Sequence, residues 1–372
     1  MWPVEKRFPK LEEDISTDIA IVGGGIAGIS SAYYLQEAGY NAVVIEQDEI
    51  GSGASGASSG MLYYGSGTEF LEAIELYGYE KAKLLWNETR ETMQAIDMLV
   101  EKNNIECGYR KPGGIMAAKT DEHKSQIKKE YAAVKKLGID AEIFDSSEIK
   151  SHFAGKEFLA GLHFPECSQI QPALFAASLA STVNLQVFEH TPYMSFKELN
   201  SKIRIETPHA AINAERLLFA TNLHPLFGLE KFFQTESSVI IASKRLSREE
   251  MKSIWLKEKF IWSMESDYDI VYPADSRLIL ELYRLKNMKE KIVYYYPNKF
   301  VVDTQWGDSW SKTQDWLPII DNVKENISVA VAMGDQGVVM GFTAGRKITK
   351  LLEGKEDEFL ALMSPQRFAG NS

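Results

Sequence analysis

The 372-residue chain is poor in cysteine and histidine, and acidic residues outnumber basic ones. Its two cysteines, Cys107 and Cys167, form no CxxC motif and its six histidines form no cluster, so the sequence indicates neither a disulfide framework nor a metal site. The formal net charge of -11 argues against nucleic acid or an anionic membrane as the main partner, because a phosphate surface requires a basic protein face.

The sequence also lacks a hydrophobic segment typical of secretion signals or membrane spans. Residues 1–14 mix acidic and basic side chains without an apolar core. The uncharged run 19–36 contains three consecutive glycines and two serines, which favours a buried strand and helix over a lipid-facing helix. We therefore expect no transmembrane segment and a cytoplasmic protein. With 45% apolar and 25% charged residues, the chain is long enough for two hydrophobic cores.

An apolar strand, a glycine-rich turn, a helical pattern and a second apolar strand follow one another between residues 18 and 46. Gly23, Gly25 and Gly28 have the GxGxxG spacing, in which the first glycine permits a tight turn, the second a close approach to a pyrophosphate and the third helix packing. Glu46 ends the second strand, where a carboxylate accepts hydrogen bonds from ribose hydroxyls. This unit predicts a dinucleotide site, and the alternative is a glycine-rich turn in another kind of α/β protein.

A run of ten small residues, 51–60, follows this unit. Its composition is typical of a flexible linker, which stays an alternative. Helical patterning resumes at residues 69–102 without a new domain start, so we favour a loop wrapped around a ligand. Further along, residues 106–118 predict a hairpin around their Pro-Gly-Gly sequence, and residues 121–137 predict a charged helix that ends at Gly138.

The second half of the chain predicts a sheet-rich region and a further strand-turn-helix unit. Short β-like runs occupy residues 185–222, and residues 239–285 alternate as in an antiparallel sheet. The apolar strand 327–333 leads into Gly334–Gly337 and a helical pattern. Asp335 in this turn is suited to accept hydrogen bonds from ligand hydroxyls, and the alternative is an ordinary helix cap.

Together these features resemble the D-amino acid oxidase-like family of FAD-dependent oxidoreductases over nearly the whole chain. The glycine turn and Glu46 match the family's FAD fingerprint, and residues 53–62 resemble the loop that passes the flavin in glycine oxidase-like members. Residues 306–318 resemble its W...TxDxLPxIG segment, residues 337–346 its last flavin-contacting turn and helix, and residues 364–368 its usual ending.

The resemblance implies an α/β fold with a Rossmann-like FAD-binding domain of the glutathione reductase type and a second, antiparallel-sheet α+β substrate domain. In this division the FAD-binding domain is discontinuous and contains residues 1–75, 160–225 and 318–372, while residues 76–159 and 226–317 form the substrate domain. The implied cofactor-binding residues are Gly23, Gly25, Ile26, Ala27, Gly28, Glu46, Gln47, Ser55, Ser58, Ser59, Gly60, Met61, Val187, Ala220, Thr221, Gly334, Asp335, Gln336, Gly337 and Val338.

The implied FAD is noncovalent. No cysteine lies between residues 168 and 372, no histidine follows His224, and the loop 47–62 contains neither. This excludes the C-terminal cysteine linkage of sarcosine oxidase-like members, so we expect phosphate, ribose and backbone contacts to hold the cofactor.

The implied activity is oxidation of the carbon beside an amine nitrogen. A neutral amine or amino acid passes a hydride to FAD, and water hydrolyses the resulting imine. Apolar and aromatic walls suit such a substrate, and the pocket candidates are Met61, Tyr63, Tyr272, Arg284, Trp306 and Trp310. We expect oxygen, a quinone or another protein to take up the electrons, and a homo-oligomer is left open.

Several positions depart from the family's pattern. Trp310 stands where amino-acid-oxidising members carry an arginine that binds the substrate carboxylate, and Arg284 or Arg277 is the candidate to replace it. Glu281 and Leu282 replace a common Gly-Gly pair. Three alternatives therefore stay open: a flavin monooxygenase or reductase of the hydroxylase type, a flavin-carrying subunit of an electron-transfer assembly, and a nicotinamide dehydrogenase.

Overall fold

The computed structural model describes residues 4–200, 202–222, 227–264, 269–283, 287–296 and 300–369, which contain eighteen strands and eleven α-helices. The strands are β1 (Ile15–Val22), β2 (Ala42–Ile45), β3 (Met61–Leu62), β4 (Gly114–Ala118), β5 (Glu142–Asp145), β6 (Ala160–Phe164), β7 (Ser168–Gln169), β8 (Gln186–Phe188), β9 (Ser195–Leu199), β10 (Lys202–Glu206), β11 (Ala211–Asn222), β12 (Phe233–Ser243), β13 (Phe260–Ser263), β14 (Asp269–Ala274), β15 (Arg277–Leu282), β16 (Val302–Thr313), β17 (Ile319–Lys324) and β18 (Ile327–Val331). The helices are α1 (Ile26–Glu37), α2 (Ala54–Ala57), α3 (Phe70–Tyr77), α4 (Tyr79–Asn103), α5 (Asp121–Lys136), α6 (Ser146–Lys150), α7 (Pro172–Thr182), α8 (Arg248–Lys252), α9 (Met288–Tyr295), α10 (Gly337–Leu352) and α11 (Glu358–Met363). Among the helices in these ranges, none has the length and apolar character that crossing a membrane requires.

The first sheet carries the predicted nucleotide-binding unit. Its strand order is β17-β18-β11-β1-β2-β8, and β10 and β9 extend it from β11. β1 runs parallel to both β2 and β11, and β11 runs parallel to β18. Neighbouring residues of β1, such as Ile19 and Ala20, belong to different hydrophobic clusters, one on each face of the sheet. Burial of both faces explains why this strand is a continuous apolar run.

The second sheet has the strand order β16-β12-β15-β14-β13-β4-β6-β5. Its pairs are antiparallel except for β4 with β13. On β15, Ile279 joins the hydrophobic cluster of α1 and α10, whereas Leu280 joins a separate cluster on the opposite face. Because side chains alternate along a strand, Glu281 shares the face of Ile279 and turns toward the nucleotide-binding unit.

The predicted hairpin at residues 106–118 is wrong. Only its second half forms a strand, β4, which pairs with β6 and β13 rather than with the residues before it. Arg110 forms an isolated bridge with Gln169, and Gly113 N donates to Cys167 O over 3.1 Å. No hairpin forms here because β4 is paired along both of its edges with strands that are distant in sequence.

Strand β6 belongs to the second sheet, although the predicted division groups it with the nucleotide-binding segments. That division puts residues 160–225 with the nucleotide-binding segments, whereas β6 pairs with β4 and β5 in the second sheet. The chain returns to the first sheet with α7, which packs against α1. The physical reason is the five-residue ladder between β6 and β4, a long-range pairing that an apolar sequence does not specify.

Helices α1 and α10 run side by side in the same direction. A Cβ atom on Gly341 would lie 3.2 Å from Ala27 N, and one on Gly345 would lie 2.3 Å from Ser30 Oγ, so glycine permits the close approach. Ser30 Oγ also donates to Gly341 O over 3.1 Å. Both helix N-termini consequently open at the same end, next to the carboxyl ends of β1 and β18.

Candidate functional site

A cavity of about 470 Å³ lies between the two sheets at the N-termini of α1 and α10. The first sheet lines it with the glycine turn, the end of β2, the small-residue loop and the turn before α10. The second sheet lines it with Ser238, Ile270, Glu281, Tyr283, Ser309 and Trp310. A volume of this size is typical of small-molecule and cofactor sites.

The glycine turn between β1 and α1 depends on close backbone contacts. Gly23 has a φ of +112°, and a Cβ atom there would lie 2.5 Å from Ala220 O. A Cβ atom on Gly28 would lie 1.9 Å from Gly23 O, so the absent side chain lets the helix pack on the turn. Gly25 is the N-cap of α1, has no side chain to cap the helix, and lines the cavity. This leaves N–H groups of the first helical turn at the cavity, where they suit an anion.

Glu46, at the end of β2, lines the cavity and supports the glycine turn. Its Oε2 accepts a hydrogen bond from Gly24 N over 2.7 Å, and its Oε1 accepts one from Asp48 N over 2.9 Å. The sequence predicted only a ribose contact for this residue. A carboxylate has about four lone-pair positions, so Glu46 retains the capacity to accept hydrogen bonds from ribose hydroxyls.

The small-residue loop folds against the start of α1 and is not a linker. Ser55, in the short helix α2, accepts a hydrogen bond at Oγ from Ile26 N over 3.1 Å. Trp306 Nε1 donates to Ala57 O over 3.0 Å, which connects the loop to β16 of the second sheet. The loop therefore lies between the two sheets and forms part of the cavity wall.

The turn before α10 brings polar side chains to the cavity. The N-cap residue of α10 is Gln336, so the interpretation of Asp335 as the helix cap is wrong. Asp335 Oδ2 instead accepts hydrogen bonds from Tyr63 Oη over 3.2 Å and from Gln336 Nε2 over 3.0 Å. Gln336 Oε1 and Thr221 Oγ1 are buried oxygens without a hydrogen-bond partner among the described residues. A polar ligand in the cavity is the group that would satisfy them.

Most of the predicted cofactor-binding residues meet at this cavity. Those that line it are Gly23, Gly25, Ile26, Ala27, Glu46, Gln47, Ser55, Ser58, Ser59, Met61, Ala220, Thr221, Gly334, Asp335, Gln336, Gly337 and Val338. Gly28, Gly60 and Val187 do not line it. Gly28 and Gly60 make close packing contacts, since a Cβ atom on Gly60 would lie 2.0 Å from Ile170 O. Val187 is buried in β8, where it pairs with Val44.

The predicted substrate-pocket residues are divided between the cavity wall and the structure behind it. Met61 and Trp310 line the cavity. Tyr63 lies behind the wall, where its ring stacks on Trp262 with 5.3 Å between the centroids. Trp306 is engaged with the small-residue loop, so neither Tyr63 nor Trp306 lines the cavity.

Tyr272 and Arg277 do not line the cavity. Tyr272 shares a face of β14 with Ile270 but is 1% exposed, and this burial raises its pKa well above the ordinary tyrosine value. Arg277, the first residue of β15, pairs with Asp303 at 2.5 Å. Arg284 lies outside the described residues.

The sequence did not predict most of the second-sheet wall. Glu281 is 5% exposed, and its Oε1 lies 3.4 Å from Ser238 Oγ. A carboxylate inside the apolar run of β15 was the available signal, because a glutamate side chain is rarely buried unless a partner pairs with it. Tyr283 and Ser238 offered no such signal, because tyrosine and serine are common residues on half-buried strands.

Comparison with known protein families assigns the chain to a family. A family model described as FAD dependent oxidoreductase (DAO) matches residues 18–351. The chain belongs to the DAO family. The DAO-family assignment confirms the predicted family, the FAD cofactor and the prediction of an oxidoreductase enzyme.

Two relatives of the DAO-family chain align along almost its whole length. It is 24% identical to the probable oxidoreductase OrdL of Haemophilus influenzae, with 98% of this chain and 90% of that protein covered. It is 26% identical to the gamma-glutamylputrescine oxidoreductase of Escherichia coli, with 95% and 87% covered.

Solved structures confirm the predicted fold class. Glycine oxidase from Geobacillus kaustophilus has a TM-score of 0.74 at 18% identity, covering 94% of this chain and 98% of that one. L-proline dehydrogenase from P. horikoshii has a TM-score of 0.77 at 18% identity, covering 98% and 100%.

The residues of the cavity fit FAD. Added Cβ atoms at Gly23 and Gly28 would collide with backbone oxygens, so the turn keeps the compact form that admits a pyrophosphate. The N-termini of α1 and α10 supply N–H groups for anionic or electron-rich atoms. The buried oxygens of Gln336 and Thr221 suit the hydroxyl groups of the cofactor.

Proposed function

We propose that this DAO-family enzyme oxidises the carbon–nitrogen bond of an amine or amino acid. The observation that carries the proposal is a continuous cavity with two unlike walls. One wall has glycine turns and helix N-termini, and the other has the aromatic side chains of Tyr283 and Trp310. Gamma-glutamylputrescine oxidoreductase, glycine oxidase and L-proline dehydrogenase are each named for an amine or amino acid, which supports this substrate class.

We assign the two ends of FAD to different parts of the first wall. The N-terminus of α1, with Gly25 and Ile26, would hold the pyrophosphate, and Glu46 would accept hydrogen bonds from the adenosine ribose. The turn before α10, residues 334–338, would hold the flavin. Among the described residues that line the cavity, none is cysteine or histidine, which supports noncovalent attachment.

We assign the two sheets to two domains. The first sheet with α1, α7 and α10 forms the FAD-binding domain, built from discontinuous segments of the chain. The second sheet, including β6, forms the substrate domain. In this proposal the substrate would bind between the flavin and the second sheet.

Bound FAD supplies the acceptor for a hydride, which is one proton with the two electrons of a substrate C–H bond. As the hydride leaves, the lone pair of the neutral substrate nitrogen forms a C=N bond. Water then adds to the imine carbon and the C–N bond breaks, which yields a carbonyl compound and an amine or ammonia. Oxygen, a quinone or another protein takes up the two electrons.

Anaerobic bleaching of the flavin absorbance tests the proposal. The FAD-loaded chain is mixed with D-amino acids, N-methyl amino acids, glycine, polyamines and hydroxy acids. We expect at least one of the amine-containing compounds to bleach the flavin. Bleaching by hydroxy acids alone contradicts the proposal. The isolated chain is used throughout, because reduction by a substrate without any other subunit argues against a carrier subunit.

A further inference from the structure

Within the part of the chain that the structure describes, the charged side chains on the cavity wall have one sign. Among the described residues that line the cavity, those with a formal charge are Glu46, Asp48, Glu281 and Asp335, and all are carboxylates. Glu46 and Asp48 lie beside the glycine turn, and Asp335 lies in the turn before α10. Within this set, Glu281 is the residue that belongs to the second sheet, which forms the wall on the substrate side.

The backbone holds Glu281 firmly on this wall. Its strand, β15, is central in the second sheet, and Glu281 pairs with Ile240 of β12 and Ile270 of β14. The side chain is almost fully buried, and Ser238 Oγ lies within reach of its Oε1. A carboxylate whose backbone is paired on both sides keeps its position at the cavity.

Two aromatic rings accompany Glu281 on the same wall. Tyr283 is two residues further along the chain, and both residues line the cavity. The ring of Tyr283 meets the ring of Trp310 edge to face, with 6.1 Å between the centroids. A carboxylate next to aromatic rings is the combination of groups that recognises an ammonium group, through charge and through the faces of the rings.

We infer that Glu281, together with Tyr283 and Trp310, binds a second, non-reacting ammonium group of the substrate; this inference rests on the proposed amine oxidation. The reacting nitrogen must be neutral, because its lone pair forms the C=N bond. A carboxylate beside that nitrogen would favour its protonated form, so the nitrogen at Glu281 is a different one. The substrate class is therefore a diamine or polyamine. A substrate carboxylate at the same position is repelled by Glu281.

The test compares straight-chain α,ω-diamines, monoamines and ω-amino acids of matched length as reductants of the FAD-loaded full chain without oxygen. We expect a diamine to half-saturate flavin reduction at a concentration at least about 10-fold below that of its monoamine, the size of effect that one charged hydrogen bond gives. Glu281→Gln keeps the shape and removes the charge, so the difference disappears while the FAD content is retained. Glu157→Gln, which changes an exposed carboxylate, keeps the difference.

A binding measurement makes the test independent of turnover and of the variant's folding. Tetramethylammonium is expected to perturb the flavin absorbance of the wild-type protein, and acetate is expected to leave it unchanged. A preference for the ω-amino acid, or equal reduction by all three series, overturns the inference and leaves the proposed function standing. If no amine or amino acid of any kind bleaches the flavin, the proposed function and the inference both fail.

Discussion

Glu46 Oε2 accepts a hydrogen bond from the backbone N–H of Gly24 over 2.7 Å, across the gap between β2 and the glycine turn. Gly24 lies in the turn after β1 and Glu46 directly follows β2, and these two strands are the parallel pair of one βαβ unit. The carboxylate that is proposed to bind the ribose therefore also holds the turn that is proposed to receive the pyrophosphate. Loss of this side chain affects two parts of the FAD site at once.

Glu46→Lys is expected to abolish flavin binding. The substitution removes the acceptor for Gly24 N and Asp48 N and places a cation against two N–H donors. Two lost charged hydrogen bonds raise the Kd for FAD by at least about 100-fold. The measurement is the flavin content of the purified protein and FAD titration of the stripped protein. Glu49→Lys, the matched control, makes the same charge change at a side chain that faces Arg7 and does not line the cavity. Equal flavin content in the two variants contradicts the prediction.

Gly28→Ala is expected to destabilise the protein and weaken FAD binding together. The new Cβ atom would lie 1.9 Å from Gly23 O, so the turn or the helix must move. Overpacking of this kind costs about 3 kcal/mol. Denaturant unfolding measures the loss of stability. Gly307→Ala on β16 is the matched control, because a Cβ atom there would lie 3.5 Å from Ser238 O, an ordinary contact distance, and Gly307 does not line the cavity. A Gly28→Ala variant as stable as the control refutes the close contact.

Glu69→Gln is expected to reduce the loss of stability as pH rises. Burial and the charge of Glu130 raise the pKa of Glu69 to about 8, from an ordinary value of 4.5. Between these values the folded protein holds a proton that the unfolded chain has released. The stability contributed by this proton is full below the unfolded pKa and is lost as pH rises through about 8.

Thermal unfolding across this range measures the effect of Glu69→Gln. The variant and the wild type are expected to have similar midpoints near pH 4.5, and the variant is expected to become the more stable of the two by pH 8. Glu80→Gln, at an exposed position in α4, provides the control. Parallel curves for Glu69→Gln and the wild type would show that Glu69 ionises normally in the folded protein.

Trp306→Phe is expected to accelerate the release of FAD. Phenylalanine keeps most of the packing but removes the N–H group that donates to Ala57 O, so the small-residue loop loses this hydrogen bond to β16. One hydrogen bond of ordinary strength corresponds to about a 5-fold faster release. The recovery of flavin fluorescence after dilution measures this rate. The melting temperature of the FAD-free protein serves as the internal control and is expected to change little. An unchanged release rate contradicts the prediction.

The nucleotide-binding unit was predictable because its signals are local. A strand, a turn and a helix can be recognised from residues that are close in sequence, as at Gly23 and Gly28. The charged helix predicted at residues 121–137 was recognised in the same way. The hairpin at residues 106–118 was mispredicted for the converse reason. Its Pro-Gly-Gly sequence satisfies a local turn rule, but β4 forms its ladders with strands much further along the chain.

The cavity wall shows the same contrast. Met61, Trp310 and Tyr272 were all predicted as pocket candidates. Met61 and Trp310 line the cavity, whereas Tyr272 is buried in the structure behind it. The difference between lining a cavity and lying behind it depends on the position of a neighbouring sheet. A single strand's alternation does not contain that information.

The sequence by itself determined the dinucleotide-type turn, the family and hence the FAD cofactor, because glycine spacing and strand endings act over a few residues. The tertiary structure alone decided that Glu46 holds Gly24, that α1 and α10 bring their N-termini together, and that Glu281 reaches the cavity. Each of these depends on backbone ladders or helix contacts between residues far apart in the chain. Such contacts form only when the whole chain has folded. A local pattern of side chains is compatible with many different long-range contacts, so it does not specify which of them form.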